Sequence, residues 1–219
     1  MSSRNRAMIR RDINRLNETI GRHKDAQPAL AAICPAVLQA SDNVNKAWQD
    51  FQARALAGNK EREERDSAIE LLIGWIQRWR PVVLLTIPGA DANIKNLPSS
   101  GATPDDVIRV AEDMAKIIND NPGGQDFRES AVSDLGTALE DAKKETADAT
   151  AVLPAEAEAR SVYSEACLEA NPVLTRGLEI VRATFGRTSP EYKQFIARAA
   201  KEEEDDEEEE IEAETAVGL

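Results

Sequence analysis

At 219 residues, with 42% hydrophobic but only 4% aromatic side chains, the chain is long enough for one sizeable core built mainly from alanine and aliphatic groups. Its net charge of −13 is local: the eleven carboxylates between Glu202 and Glu214 leave −2 for everything else, which excludes a broad basic surface for nucleic acid. The chain shows no secretory leader pattern, and its most apolar stretch, 71–87, is interrupted by Gln77, Arg78 and Arg80, so it fails as a membrane span. Alanine, leucine, glutamate, lysine and arginine dominate, and these lose little rotamer freedom in a helix, so the composition predicts an all-α protein.

The first predicted helix covers 3–24. Ile9, Ile13, Leu16 and Ile20 form its apolar stripe, and Arg4, Arg6, Arg10, Arg11, Arg15, Arg22 and Lys24 surround it against Asp12 and Glu18. Such a basic amphipathic helix needs something for its stripe to lie against. From Pro28 to Ala57 a seam with steps of three and four runs through Leu30, Cys34, Val37, Ser41, Val44, Trp48, Phe51 and Ala55. Gly58-Asn59 then reads as a helix stop followed by an N-cap. The next helix, 60–86, has a charged start and a stripe of Ala68, Leu72, Trp75, Ile76, Trp79 and Val83.

Pro88-Gly89 opens a polar connection through Gly101. A short helix over 104–118 follows, with Thr103 as N-cap, Pro104 at the first position and Asp105 and Asp106 facing the positive end of the dipole. It carries Val107, Val110, Ala111, Met114, Ile117 and Ile118 inward and reads as a connecting element. Asn121-Pro122-Gly123-Gly124 ends it. A long helix over 125–151 turns Phe127, Ala131, Leu135, Ala138, Leu139, Ala142 and Ala149 inward. The last long run, 155–185, has Val162, Ala166, Ala170, Leu174, Leu178, Val181 and Phe185 on one side, with Asn171-Pro172 kinking or splitting it. Ser189-Pro190-Glu191 caps a final helix with Tyr192 and Phe195.

Together these runs predict an up-and-down four-helix bundle with helices kinked at Pro35, Pro81 and Pro172, an extra N-terminal amphipathic helix and a disordered acidic tail. The division is 1–25 for the basic helix, 26–200 for the bundle and 201–219 for the tail.

Residues able to carry chemistry are sparse. His23, the single histidine, sits at a helix end beside Lys24 and Asp25, with no second ligand at metal-binding spacing. Cys34 and Cys167 read as free apolar-stripe thiols, in keeping with a reducing cytoplasm. The di-iron Glu-x-x-His pattern is missing, and the pairs Glu156/Glu158 and Glu140/Asp141 read as solvated faces. Asp120 to Asp126 has oxygen donors without the alternating order of an EF-hand, so it reads as a turn. Trp75 and Trp79 lie one turn apart on the core stripe, with Arg78 and Arg80 outward, which favours packing over a nucleic-acid platform. Nothing here implies a cofactor, a metal or catalysis.

The segment 178–192, Leu-Glu-Ile-Val-Arg-Ala-Thr-Phe-Gly-Arg-Thr-Ser-Pro-Glu-Tyr, resembles the closing element of uncharacterised bacterial helical-bundle proteins. Those end a long helix in Phe-Gly and start a short one at Ser-x-Glu-Tyr. The resemblance implies a bacterial bundle and carries no functional residues across.

What remains is the pair of charged ends. Glu202, Glu203, Glu204, Asp205, Asp206, Glu207, Glu208, Glu209 and Glu210 form the most distinctive contact element, opposed by Arg4, Arg6, Arg10, Arg11 and Arg15 at the other end. The expectation is a non-enzymatic interaction or scaffold module that binds a protein partner with a basic surface, without direct nucleic-acid contact. Two alternatives are a chaperone-like or nucleic-acid-mimicking regulator of basic proteins, and membrane-surface attachment through the basic helix. The alanine-rich seams leave self-association open.

Overall fold

The computed structural model describes residues 5–90 and 102–195. Among these residues every regular element is helical and no strand occurs, so the fold is all-α. The helices are α1 (Arg6–His23), α2 (Pro28–Thr86), α3 (Pro104–Asp120), α4 (Gln125–Ala151), α5 (Leu153–Phe185) and α6 (Pro190–Lys193), with a 3-10 turn at Pro122–Gly124 between α3 and α4. The described residues divide into two compact units, the first made of 5–56 and 154–195 and the second of 57–90 and 102–153. This differs from the sequence-based division at residue 25, because α1 is part of the first unit.

In the first unit α1, the first half of α2 and α5 pack around two buried clusters. One joins Ile13, Leu16 and Ile20 of α1 to Leu30 and Val37 of α2 and Leu174, Leu178 and Val181 of α5. The other joins Ile9, Val44, Phe51, Ala159, Tyr163 and Cys167. Contacts along the helices give their directions. Arg6 meets Ser164 and His23 meets Phe185, so α1 and α5 run parallel. Asn14 meets Asn45 and Arg10 meets Trp48, so α1 and α2 run antiparallel. The α1 stripe predicted from spacing is buried at all four positions. Truncating one such side chain, Leu16→Ala, would cost about 2–5 kcal/mol through lost transfer energy and the cavity left behind.

In the second unit the second half of α2, α3 and α4 share one cluster, centred on Leu72, Trp75, Ile76, Val83, Met114 and Ile118. Trp75 Nε1 donates to the Ala131 carbonyl at 2.9 Å, and the Trp79 ring stacks on Phe127 at 5.8 Å. Both tryptophans are core residues, as their spacing predicted. The α3 N-cap is also as predicted: Thr103 accepts from the Asp106 amide. At its other end Arg128 donates to the Ile118 and Asn121 carbonyls, each at 3.2 Å, so the Asp120–Asp126 segment is a turn closed by a cation.

Several expectations are corrected. Gly58-Asn59 does not stop a helix; α2 continues through it for 59 residues. One glycine costs about 1 kcal/mol relative to alanine in a helix, and strong helix formers flank it on both sides. Asn59 Oδ1 accepts from Arg62 Nη2 at 2.7 Å instead of capping amides, and Lys60 pairs with Glu64 one turn on at 3.1 Å. The four long runs are therefore three helices. Their buried residues gather in separate clusters in the two units, where spacing alone suggested one four-helix core. The short helix α3 is a packing member of the second unit, with Val107, Ala111, Met114 and Ile118 buried, and not only a connection.

The α5 helix passes through Pro172 unsplit, and α2 stays helical through Pro35 and Pro81. Val162, placed inward from the sequence, is 48% exposed, while Tyr163 is buried. Steps of four residues advance about 40° beyond a full turn each, so a row of 162, 166, 170 and 174 drifts off the core face. The observed row of Ala159, Tyr163, Cys167, Ala170 and Leu174 includes the step of three that keeps it in place.

Candidate functional site

The basic residues of α1 are largely engaged within the first unit. Arg6 Nη1 donates to Ser164 Oγ on α5 at 2.8 Å. The Arg10 guanidinium lies 4.2 Å from the centre of the Trp48 ring, in reach of its negative face. Trp48 in turn sits 5.1 Å from Tyr163, which stacks on Phe51. Arg11 Nε contacts Asp12 at 3.4 Å, and Asp12 is only 3% exposed. Arg15 is half-buried. Arg4 lies outside the described residues.

Between α1 and α2 a small polar network crosses an otherwise apolar seam. Asn14 and Asn45 exchange side-chain hydrogen bonds in both directions, at 2.8 and 3.0 Å. The buried Ser41 hydroxyl donates to Asn14 Oδ1 at 2.7 Å. Each group supplies what the other lacks, so the burial cost of these polar atoms is met.

The acidic residues Glu202 to Glu210 also lie outside the described residues, but the segment leading to them starts from a fixed base. Phe185 ends α5 at Gly186, whose φ of 87° is a left-handed conformation suited to glycine. Ser189 then caps α6, its hydroxyl accepting from the Tyr192 amide. Tyr192 and Phe195 pack against the cluster around Leu16 and Ile20. Gln194 Nε2 donates to Thr19 Oγ1 at 2.9 Å, and that hydroxyl donates to the Arg15 carbonyl at 2.8 Å. The end of the described chain is thus tied to α1.

His23 is half-buried with its ring 4.9 Å from Phe185, edge to face. Cys167 is buried with Sγ 3.7 Å from the Arg6 carbonyl, and Cys34 is half-buried.

Two groupings were not legible in the sequence. In the second unit Glu61 of α2 meets Glu145 and Asp148 of α4, with one carboxylate oxygen from each within 4.8 Å of the others. Lys144 lies 2.6 Å from Glu145 and 3.6 Å from Asp148, and its hydrogen bond to Glu145 raises its pKa above the ordinary lysine value. Glu61 and Glu145 are 84 positions apart, so only the pairing of α2 with α4 brings them together. In the first unit a groove of about 220 Å³ runs between α2 and α5, floored by Ala36, Ala40, Ala166 and Ala170 with exposed Gln39 and Glu169 beside them. Small side chains leave this space because nothing longer fills it.

Apolar surface is exposed as well. Leu71 and Leu85 of α2, both in the second unit, are 67% and 87% exposed. Among the described residues, no helix is long and apolar enough to cross a membrane. Comparison with protein-family models, with curated proteins and with solved structures gives no match.

Proposed function

We propose that this chain is a non-enzymatic interaction module that binds a protein partner with a basic surface through the acidic segment Glu202–Glu210. The observation that carries this reading is a run of nine consecutive carboxylates joined to a packed helical unit by an ordered base. Carboxylates at that density repel one another and are drawn to cations, so a partner with clustered lysine or arginine is the fitting counterpart. The folded unit supplies the anchor and the acidic segment supplies the attraction. Membrane attachment through α1 is less well supported, because it needs the stripe of Ile9, Ile13, Leu16 and Ile20, which is buried in the first unit.

Binding of this kind is steeply salt-dependent. The test is capture of poly-L-lysine by the full chain and by a chain ending at Lys201, at low and at high ionic strength. Strong capture by the full chain at low salt only, lost on truncation, is the expected outcome. Equal capture by both chains overturns the reading.

A further inference from the structure

We infer that, with no partner bound, the acidic segment 202–210 docks on the basic outer face of α1 and is displaced from it by the partner. This rests on the reading above that 202–210 is the contact element, and it adds a resting site within the same chain.

Three observations carry it. The first is charge. Arg15, half-buried, and Arg22, exposed, are seven residues apart and so within about 20° of one another on the α1 surface. Arg11, four residues before Arg15, lies on the same side but is engaged beside Asp12 with its side chain 21% exposed. Lys24 and Lys193 are exposed near the same end of the unit. Glu18 interrupts the row and pairs with Arg22 at 3.8 Å, with both side chains about two-thirds exposed. An exposed pair of this kind is weak, so Arg22 can exchange one carboxylate for several.

The second is the anchor. Thr19 lies four residues after Arg15 and three before Arg22, so the Gln194 amide that donates to it sits beside the basic row. Tyr192 and Phe195 hold the same stretch onto the apolar cluster beneath.

The third is reach. From Phe195 to Glu202 is seven residues, at most about 25 Å of chain. The stretch of α1 from Thr19 back to Arg11 rises only about 12 Å. The acidic run therefore starts within reach of every cation in the row. A tether this short holds it at an effective concentration on the order of millimolar, so even weak attraction populates the docked state.

The experiment compares amide NMR spectra of the full chain and of the chain ending at Lys201. Shift differences across residues 11–22 that vanish at about 1 M salt are expected, because screening then reaches down to about 3 Å. Differences confined to the residues next to the cut overturn the inference. A second measurement uses R15Q/R22Q in the full chain, its helix content checked by circular dichroism; Arg11 stays because it stands beside buried Asp12. Removing the internal competitor should tighten poly-L-lysine binding about threefold or more. Unchanged affinity in this variant overturns the docking while leaving the binding role of the segment intact. Failure of the unsubstituted chain to bind poly-L-lysine overturns the binding role instead.

Discussion

Gly177 of α5 faces Leu16 of α1 so closely that a β-carbon built on the glycine would overlap the leucine Cδ2. Leu16 is fully buried and cannot swing away into solvent. The parallel packing of α1 on α5 thus depends on a missing methyl group. Alanine at 177 gains up to about 1 kcal/mol of helix propensity but costs about 1–3 kcal/mol by overpacking. Gly177→Ala should therefore lower stability modestly and Gly177→Val severely, read as a shift in the urea midpoint. A stabilised G177A would contradict the close approach.

The continuity of α2 through Gly58 has a direct test in Lys60→Pro. Had a helix begun with Asn59 as its cap, residue 60 would be the first helical position, where proline is favoured. Inside an unbroken helix proline removes a hydrogen bond and clashes with the preceding turn, at about 3 kcal/mol or more. The variant should show a clear loss of helical signal and of thermal stability. A variant with unchanged melting would restore the break at 58–59.

The Asn14–Asn45 pair should behave as a unit. Asn45→Ala leaves the Asn14 amide without its Asn45 partner, while Ser41 still donates to Asn14 Oδ1, and this costs about 1–3 kcal/mol. Asn14→Ala does the same from the other side. The double variant should cost clearly less than the two single losses together, by about 0.5–1.5 kcal/mol in a double-mutant cycle. Additive losses would mean that the two amides act independently.

At the start of α3, the hydrogen bond from the Thr103 hydroxyl to the Asp106 carboxylate, at 2.8 Å, holds the Asp106 pKa below its ordinary value, with Arg109 assisting. A carboxyl lowered on folding favours the folded state above its unfolded pKa. That contribution is lost as pH falls through the lowered folded value, so it acts on the acid limb below about pH 4. Thr103→Val should move the Asp106 titration up toward the ordinary carboxylate range in a carbon-detected NMR titration. An unmoved titration would assign the shift to another cause.

Much of the helical layout was legible because its signals are local. The Thr103 and Ser189 caps, the stop at Gly186 and the full helix 125–151 all follow from groups within one or two turns of each other. The stripes of α1 and of the second half of α2 were legible for the same reason. The readings that failed were ones in which a local signal competes with a wider context. Gly58-Asn59 looks like a stop until its flanks are weighed, and the early α5 stripe was misaligned by one residue at Val162 and Tyr163. The candidate site divides in the same way. The acidic run announces itself, whereas its base on Thr19 joins residues 175 positions apart.

Sequence alone determined that this chain is helical, where most of its helices start and end, and that its negative charge is concentrated in one segment. It could do so because helix formation, capping and charge repulsion act between near neighbours along the chain. Only the tertiary structure decided that the chain makes two units, that α1 runs parallel to α5, that Asn14 meets Asn45, and that Glu61 meets Glu145 and Asp148. An apolar stripe states that it must be covered, but not by which partner, because burial is non-directional and nearly any other stripe will serve. The choice falls to details of shape and hydrogen bonding, such as Gly177 against Leu16, which are resolved only when distant parts of the chain meet.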